Sequence, residues 1–336
     1  MRTAGEKSHS MLLAEAQGQP LAALRLLGGN AGIYVALLLL CLVMSVGAPN
    51  FLTLENLLDV SRQISITAIL AAGLTFVILS GGIDLSVGSA LGMTTYASIA
   101  LAAQHGSLAS CLLGALVVGL GIGLLNGALV AYARLTPFIV TLAALTYLRG
   151  LVYVGTDGRS LFAAEIPFGS LGQGDFLGVP NPVFVLVAIY ALGWFLLERT
   201  VYGRHVFAVG GNVEAARLAG LPVPVIILSV YAISGLCAAF AGILAGARLQ
   251  TAVPTLGVGY ELNAIAAVVL GGTSLAGGRG SLTGTLAGVA IIGLLANGLT
   301  LMNVPSFYQL VIQGVVIVLA IGIDKLRRTP TRAGQG

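Results

Sequence analysis

Three short polar stretches interrupt a mostly apolar chain of 336 residues, and each could do a different kind of work. The first, Ser80-Gly81-Gly82-Ile83-Asp84-Leu85-Ser86-Val87-Gly88, sets a carboxylate among hydroxyls and glycines between two apolar runs. A carboxylate there needs polar company, which Ser86, Ser89 and nearby amides can supply. It reads either as a polar hinge or as the N-cap of the helix that follows, and the two roles are compatible. The second stretch, Gly271-Gly272-Thr273-Ser274-Leu275-Ala276-Gly277-Gly278-Arg279-Gly280, imitates a phosphate-cradling loop but lacks the Gly-Lys-Ser/Thr ending. Lys7 follows Glu6 and Lys325 follows Asp324, so no Walker A sequence exists in the chain. A run this rich in glycine cannot stay helical, and the readings left are a hinge or a site of tight packing.

The third stretch is Gly210-Gly211-Asn212-Val213-Glu214-Ala215-Ala216-Arg217-Leu218-Ala219-Gly220. Asn212 suits an N-cap, Glu214 falls in the first turn, and Gly220 can end the helix in a left-handed conformation. A short surface helix of about two turns is expected, either an ordinary solvated one or one that meets a partner. Single polar residues add less. Asn126, Asn297, Glu261 and Asn263 could line a polar path or make interhelical hydrogen bonds, and Arg149 is expected to snorkel or to pair with a carbonyl. His9, His105 and His205 are isolated and fall in loops or tails. Cys41, Cys111 and Cys237 lie in apolar runs at spacings that suit no metal, and read as packing residues.

The elements that carry these stretches follow from composition. The chain is 57% hydrophobic and 8% charged, with a mean hydropathy of +1.00, whereas a soluble domain carries roughly 25% charged residues. Most of its outer surface therefore faces lipid. Its 47 glycines show no collagen period and suit close helix packing in a membrane. The net charge of +4 is scattered over short loops and termini, which argues against nucleic acid as a partner.

A crossing helix needs about 20 mostly apolar residues. Ten stretches qualify: Ala31–Ala48, Ile64–Ser80, Leu85–Ala103, Leu108–Ala133, Pro137–Gly155, Val183–Leu197, Val225–Ala247, Leu262–Leu275, Leu282–Met302 and Phe307–Ile323. The eighth is short and broken by glycine. The expected fold is an all-α integral membrane protein, a polytopic bundle of about ten transmembrane helices with glycine-broken segments. Phe51–Gln63 reads as a separate amphipathic helix lying on the membrane surface. The polar stretch before the first span is too long for a secretory n-region, so that span is expected to remain as an anchor.

With the N-terminus inside, twelve Lys and Arg fall on the cytoplasmic side against Arg62, Arg159 and Arg248 outside, and Arg149 lies within the fifth span. An even number of spans returns the C-terminus to the cytoplasm. This divides the chain into a cytoplasmic tail (1–30), a membrane domain (31–324) and a second cytoplasmic tail (325–336). Two long loops stand out, an outer one at 156–180 and a polar inner one at 198–224. There is also an internal echo: VILSGG at Val77–Gly82 and VVLGG at Val268–Gly272. It reads either as a repeat of the kind found around transport paths or as chance likeness between glycine-rich segments.

Three longer segments carry a family resemblance: SGGIDLSVGS at Ser80–Ser89, GRHVFAVGGNVEAARLAG at Gly203–Gly220 and GYELNAIAAVVLGGTSLAGGRGS at Gly259–Ser281. In this order they resemble the permease subunits of bacterial ABC importers for monosaccharides, of the ribose, xylose and galactoside type, over nearly the whole chain from Pro49 to Asp324. The resemblance implies an inner-membrane protein with a coupling helix in the inner loop that docks on a separate cytoplasmic ATPase, where ATP and Mg would bind. Glu214-Ala215-Ala216-x-x-x-Gly220 matches the first half of the EAA motif of such permeases, while its I-x-L-P half is not matched. Gly211 and Asn212 would complete the contact. The resemblance further implies a periplasmic sugar-binding protein docked outside, with 156–180 as a reasonable contact. A second copy of the chain would complete the pore, and the subunit itself would bind no cofactor. Gly81, Gly82, Asp84, Ser86, Asn126, Glu261, Asn263, Gly271, Gly272, Thr273 and Ser274 are the candidates for the path or its hinges. The rival readings are a branched-chain amino acid permease of related type, an ion-coupled secondary transporter, and a structural or receptor membrane protein.

Overall fold

The computed structural model describes residues 31–328, with side-chain surroundings described as far as Val318; the first polar tail and residues 329–336 of the second lie outside the described residues. Helices stand at all ten apolar stretches. They are α1 (Ala31–Gly47), α2 (Leu54–Leu79), α3 (Val87–Ala103), α4 (Leu108–Ala131), α5 (Pro137–Thr156), α7 (Asn181–Arg199), α10 (Val223–Leu249), α11 (Tyr260–Leu270), α12 (Leu282–Leu301) and α13 (Ser306–Arg328). Between them lie the short helices α6 (Ser170–Gln173), α8 (Val201–Gly211) and α9 (Val213–Leu218). Four strands of two residues each complete the order, β1 (Leu161–Phe162), β2 (Asp175–Phe176), β3 (Val179–Pro180) and β4 (Thr251–Ala252).

Six helices, α2, α4, α5, α7, α10 and α12, are long and apolar enough to cross a membrane, and α1, α3, α11 and part of α13 are shorter apolar helices. Polar residues at their ends fix where they begin. Thr53, Ser107, Thr200, Asn212 and Ser281 each accept a hydrogen bond from a backbone N–H in the first turn of α2, α4, α8, α9 and α12. Pro137 opens α5 and Pro224 sits in the first turn of α10, where a missing N–H costs nothing.

The centre of the bundle is α2 and α10. Ile69, Leu74, Leu79, Tyr231 and Ala238 are fully buried there, while Val117, Val154 and Leu192 project outward from the surrounding helices. Glycine sets the closest contact. Gly119, Gly123 and Gly127 recur every four residues along α4 and form a backbone-close seam with Leu228–Gly235 of α10. A Cβ at Gly127 would stand 3.0 Å from the Leu228 carbonyl oxygen, and one at Gly123 would overlap that of Tyr231. Small residues at this spacing let two backbones meet and gain dispersion contacts that lipid cannot match.

Three expectations change. Phe51–Gln63 is not a separate surface helix: from Leu54 it forms the first turns of α2, and Phe51 is buried beside Met44 and Leu299. Asn56 in that stretch exchanges two amide hydrogen bonds with Asn297 of α12, at 3.0 and 2.8 Å, while Glu55 and Asp59 stay exposed. The segment 156–180 is folded, with β1 paired to β4, β2 and β3 in a hairpin, and Phe168 fully buried. Leu177 and Gly178, both at positive φ, make the tight turn that such a hairpin uses. The segment 198–224 is largely helical, and His205 belongs to α8.

Candidate functional site

The glycine-broken stretches end two helices in the same way. After α2, Ser80 leaves the helix, Gly81 takes φ +84°, and Gly81 and Gly82 donate their N–H groups to the carbonyls of Ile78 (2.9 Å) and Val77 (3.0 Å). After α11, Gly271 leaves the helix, Gly272 takes φ +88°, and Gly272 and Thr273 donate to Val269 (2.9 Å) and Val268 (3.2 Å). This is the double hydrogen-bonded C-cap whose left-handed residue is usually glycine. The echo between VILSGG and VVLGG is thus a conformational identity, residue for residue. With only 11 residues, α11 is about 16 Å long, roughly half the thickness of a bilayer core.

Past the first cap, Asp84 is buried and holds the break together. Its Oδ1 accepts from the Ser86 N–H (2.9 Å) and Ser86 Oγ (2.6 Å), and its Oδ2 accepts from Ser234 Oγ of α10 (2.8 Å). Asn126 of α4 donates to Ser86 Oγ at 2.9 Å. The Ile83 carbonyl accepts from Tyr231 Oη at 3.1 Å and from Thr141 of α5 at 3.3 Å. By the bounds of α3 Ser86 holds the N-cap position without a side-chain cap, and it is Asp84, accepting the Ser86 N–H, that satisfies an amide ahead of the helix. It ties the α2–α3 connection to α10 directly and, through Ser86, to α4. Ser234 and Tyr231 escaped the reading of the sequence, and the available signal was one of two serines and the single tyrosine in the apolar run of α10.

Past the second break, Thr273 is buried and Ser274 half-buried, and the Ser274 N–H donates to the Arg279 carbonyl at 2.9 Å, closing the loop. Glu261, in the first turn of α11, is 9% exposed. Its Oε1 accepts from the Gly259 N–H at 3.2 Å, while Oε2 has no hydrogen-bond partner among the described residues. That oxygen lies against Gly88 at the start of α3, where a Cβ would overlap both it and the Gly257 carbonyl oxygen. Glu261 thus faces Gly88 and stands apart from the Asp84 cluster; Asn263 is half-buried two residues on. Arg149 reaches a carbonyl only by relay, donating to Ser89 Oγ (3.0 Å), which donates to the Leu145 carbonyl (2.8 Å).

The third stretch forms a compact projection. Asn212 Oδ1 accepts from the Ala215 N–H at 2.9 Å, and Glu214 and Arg217 form an exposed ion pair at 2.9 Å. Gly220 takes φ +79° and, with Leu221, donates to the carbonyls of Arg217 and Ala216, so α9 ends in the same cap as α2 and α11. Only Ala216 of this helix is buried; Gly211, Asn212, Glu214, Ala215 and Gly220 are exposed. The arrangement is three glycine-capped helix ends and a buried carboxylate cluster, with one exposed helix beside them.

Comparison with known proteins agrees with a transport architecture. Residues 56–321 match the family model described as branched-chain amino acid transport system / permease component. The chain is 44% identical to the ribose import permease protein RbsC of Escherichia coli strain K12 over 299 residues, 88% of this chain and 93% of that one. It is 43% identical to RbsC of Bacillus subtilis strain 168, over 88% of this chain and 92% of that one. To the L-arabinose ABC transporter permease protein AraH of Azospirillum brasilense it is 38% identical, over 90% of each. No solved structure matches it. With its apolar helices and a match across most of its length, the chain is a multi-pass membrane protein and belongs to this family of transport-system permease components.

Proposed function

We propose that the chain is the membrane-spanning permease of an ATP-driven importer for a monosaccharide, a pentose or related sugar. The observation that carries this reading is 44% identity across nearly the full length of a ribose import permease. The family model is described by branched-chain amino acids, yet the relatives above are named for ribose and L-arabinose, and that favours sugar. On this reading all ten apolar helices cross or enter the inner membrane of a bacterial cell, both termini are cytoplasmic, and two copies form the pore.

ATP and Mg bind a separate ATPase subunit, because this chain carries no Walker A sequence. The inner segment 198–224 supplies the docking surface: α9 presents Glu214 and Ala215 outward, held by the Asn212 cap and the Gly220 turn. A periplasmic sugar-binding protein docks on the outer face around 156–180. The path runs beside the two breaks, with Gly81, Gly82, Asp84, Ser86 and Asn126 at one and Gly271, Gly272, Thr273 and Ser274 at the other. Glu261 and Asn263 stand at the head of α11. Broken backbone at membrane depth is stable only where protein or a water-filled cavity satisfies it, which suits helix ends beside a path.

The test is uptake of a panel of labelled pentoses and hexoses by cells producing the chain with its ATPase and binding protein. ATP-dependent accumulation of one sugar is expected; accumulation of leucine, isoleucine or valine instead would sink the sugar reading. Gly220→Trp should abolish uptake while leaving membrane insertion intact, and normal uptake would remove the coupling role of α9. A reporter fused after Arg159 should appear outside and one after Arg217 inside, and reversal of either would overturn the orientation.

A further inference from the structure

The last turn of α8 is lodged between the two glycine-capped breaks. A Cβ at Gly210 would overlap the Leu79 carbonyl oxygen at the end of α2 and stand 2.7 Å from the Gly278 nitrogen in the loop after α11. From the other side, a Cβ at Gly277 would lie 2.7 Å from the Gly210 carbonyl oxygen and 2.9 Å from Gly81 Cα. One at Gly278 would lie 2.8 Å from Gly211 Cα. The two breaks also bond each other, because the Gly278 N–H donates to the Leu79 carbonyl at 2.9 Å. Three separate stretches of the chain therefore meet backbone to backbone, with no side chain between them.

The junction is joined to α9 by a single residue. Asn212 ends α8 and caps α9, its own N–H donating to the Ala208 carbonyl at 3.1 Å. Val206 and Val209 fix α8 in the core as fully buried side chains, and Ala216 does the same for α9. Side chains at a contact can rotate and absorb a displacement of an ångström or so. Close-packed backbone cannot, and so passes the displacement on.

We propose that Gly210 is a positioning residue of the transport cycle, through which a displacement of α9 reaches the glycine-capped ends of α2 and α11 together. The proposal rests on the reading of α9 as the surface that meets the ATPase. It gives a role to the missing side chain of Gly210, a helical residue, whereas Gly277 and Gly278 are already called for by their φ of +83° and +70°.

The experiment uses the assembled transporter, permease with its ATPase and binding protein, in proteoliposomes. Gly210→Ala is expected to co-purify with the ATPase and to hydrolyse ATP at the wild-type rate. Sugar uptake per ATP should fall about tenfold, the order at which substitutions along a coupled network act. Gly277→Ala, which fills the same junction from the opposite side and also strains a backbone at φ +83°, should lower the ratio at least as far; Gly121→Ala, where a Cβ meets nothing within 4 Å, should keep the wild-type ratio. Wild-type uptake per ATP in both junction variants would overturn the proposal. Hydrogen exchange on the wild-type complex supplies a second readout that needs no variant. Nucleotide binding should change the protection of residues 79–82 and 276–280 together with 210–213, and a change confined to 212–218 would also overturn it. Cross-linking from a cysteine placed at Glu214 to the ATPase reports on α9 separately. A cross-link together with wild-type coupling in Gly210→Ala sinks the junction alone, and absence of the cross-link sinks the reading beneath it.

Discussion

Asp84 Oδ2 and Ser234 Oγ lie 2.8 Å apart, and this hydrogen bond joins the connection between α2 and α3 to the middle of α10. With the two bonds to Ser86 it completes the solvation of a carboxylate that is 3% exposed. Interhelical hydrogen bonds in membrane proteins are worth about 0.6 kcal/mol on average and up to about 1.7. Ser234→Ala is therefore expected to cost about 1 kcal/mol, seen as a small fall in the thermal midpoint of the purified protein. Asp84→Ala loses three bonds and strands the Ser86 amide, so a cost of about 2–3 kcal/mol is expected. The double variant should cost less than the sum, since one bond is counted in both singles. Additive losses would mean that Ser234 does not act through Asp84.

The α4–α10 seam makes a second, sterically sharper prediction. A Cβ at Gly127 meets the Leu228 carbonyl, Leu228 Cα and Tyr231 Cβ at 3.0–3.1 Å, most of them backbone that cannot turn aside, whereas a Cβ at Gly121 meets nothing within 4 Å. Gly127→Val should destabilise by about 1–3 kcal/mol, the usual cost of overpacking. Gly121→Val should stay within about 0.5 kcal/mol, as for a surface substitution. Comparing the two by thermal unfolding in one detergent checks the packing, because both substitutions place the same side chain in the same helix.

Where apolar length decided the structure, the sequence was readable. Each of the ten apolar stretches carries a helix; those expected from Pro137 and Leu282 start there, while the one expected from Ile64 starts ten residues earlier, at Leu54, after the Thr53 cap. The helix at 213–218 was readable for a local reason, because Asn212 and Gly220 are its own caps. Phe51–Gln63 was misread as a surface helix because amphipathic spacing reports two faces but not what covers the polar one. Here Asn297, distant in sequence, covers part of it. Asp84 was read as a cap from its local surroundings alone, and its partner Ser234 lies 150 residues away. The contact of Gly210 with Leu79 and Gly278 could not be seen at all, since backbone packing leaves only the absence of a side chain as its trace.

The Asn56–Asn297 pair yields a prediction about that missed contact. Each amide donates to the other, at 3.0 and 2.8 Å, and Asn56 also donates to the Phe51 carbonyl at 2.8 Å. Asn297→Ala should cost about 1 kcal/mol by leaving Asn56 half-satisfied, and Asn56→Ala more, because it also releases Phe51. Asn297→Asp keeps the acceptor but sets a second oxygen against Asn56 Oδ1, so it should cost at least as much as Asn297→Ala. Thermal midpoints of the three variants test the order, and an unchanged midpoint for Asn56→Ala would refute a structural role for the first turn of α2.

Glu261 gives the last prediction, because its two oxygens stand in different circumstances. Oε1 accepts a hydrogen bond from Gly259, and Oε2 is buried with no hydrogen-bond partner among the described residues, where a Cβ at Gly88 would overlap both it and the Gly257 carbonyl oxygen. Two acceptor oxygens facing each other gain nothing without a hydrogen between them, and an amide supplies one. Glu261→Gln preserves the shape and the Oε1 acceptor, and it turns the orphaned oxygen into an N–H donor in the neighbourhood of the Gly257 carbonyl. It should therefore be as stable as wild type or more so by about 1 kcal/mol, the worth of a hydrogen bond to a formerly unsatisfied group. Glu261→Ala should lose about 1–2 kcal/mol, through the freed Gly259 amide and the cavity against Gly88. Thermal unfolding of the two variants side by side decides the matter: if glutamine destabilises as much as alanine, Oε2 holds a ligand that an amide cannot replace.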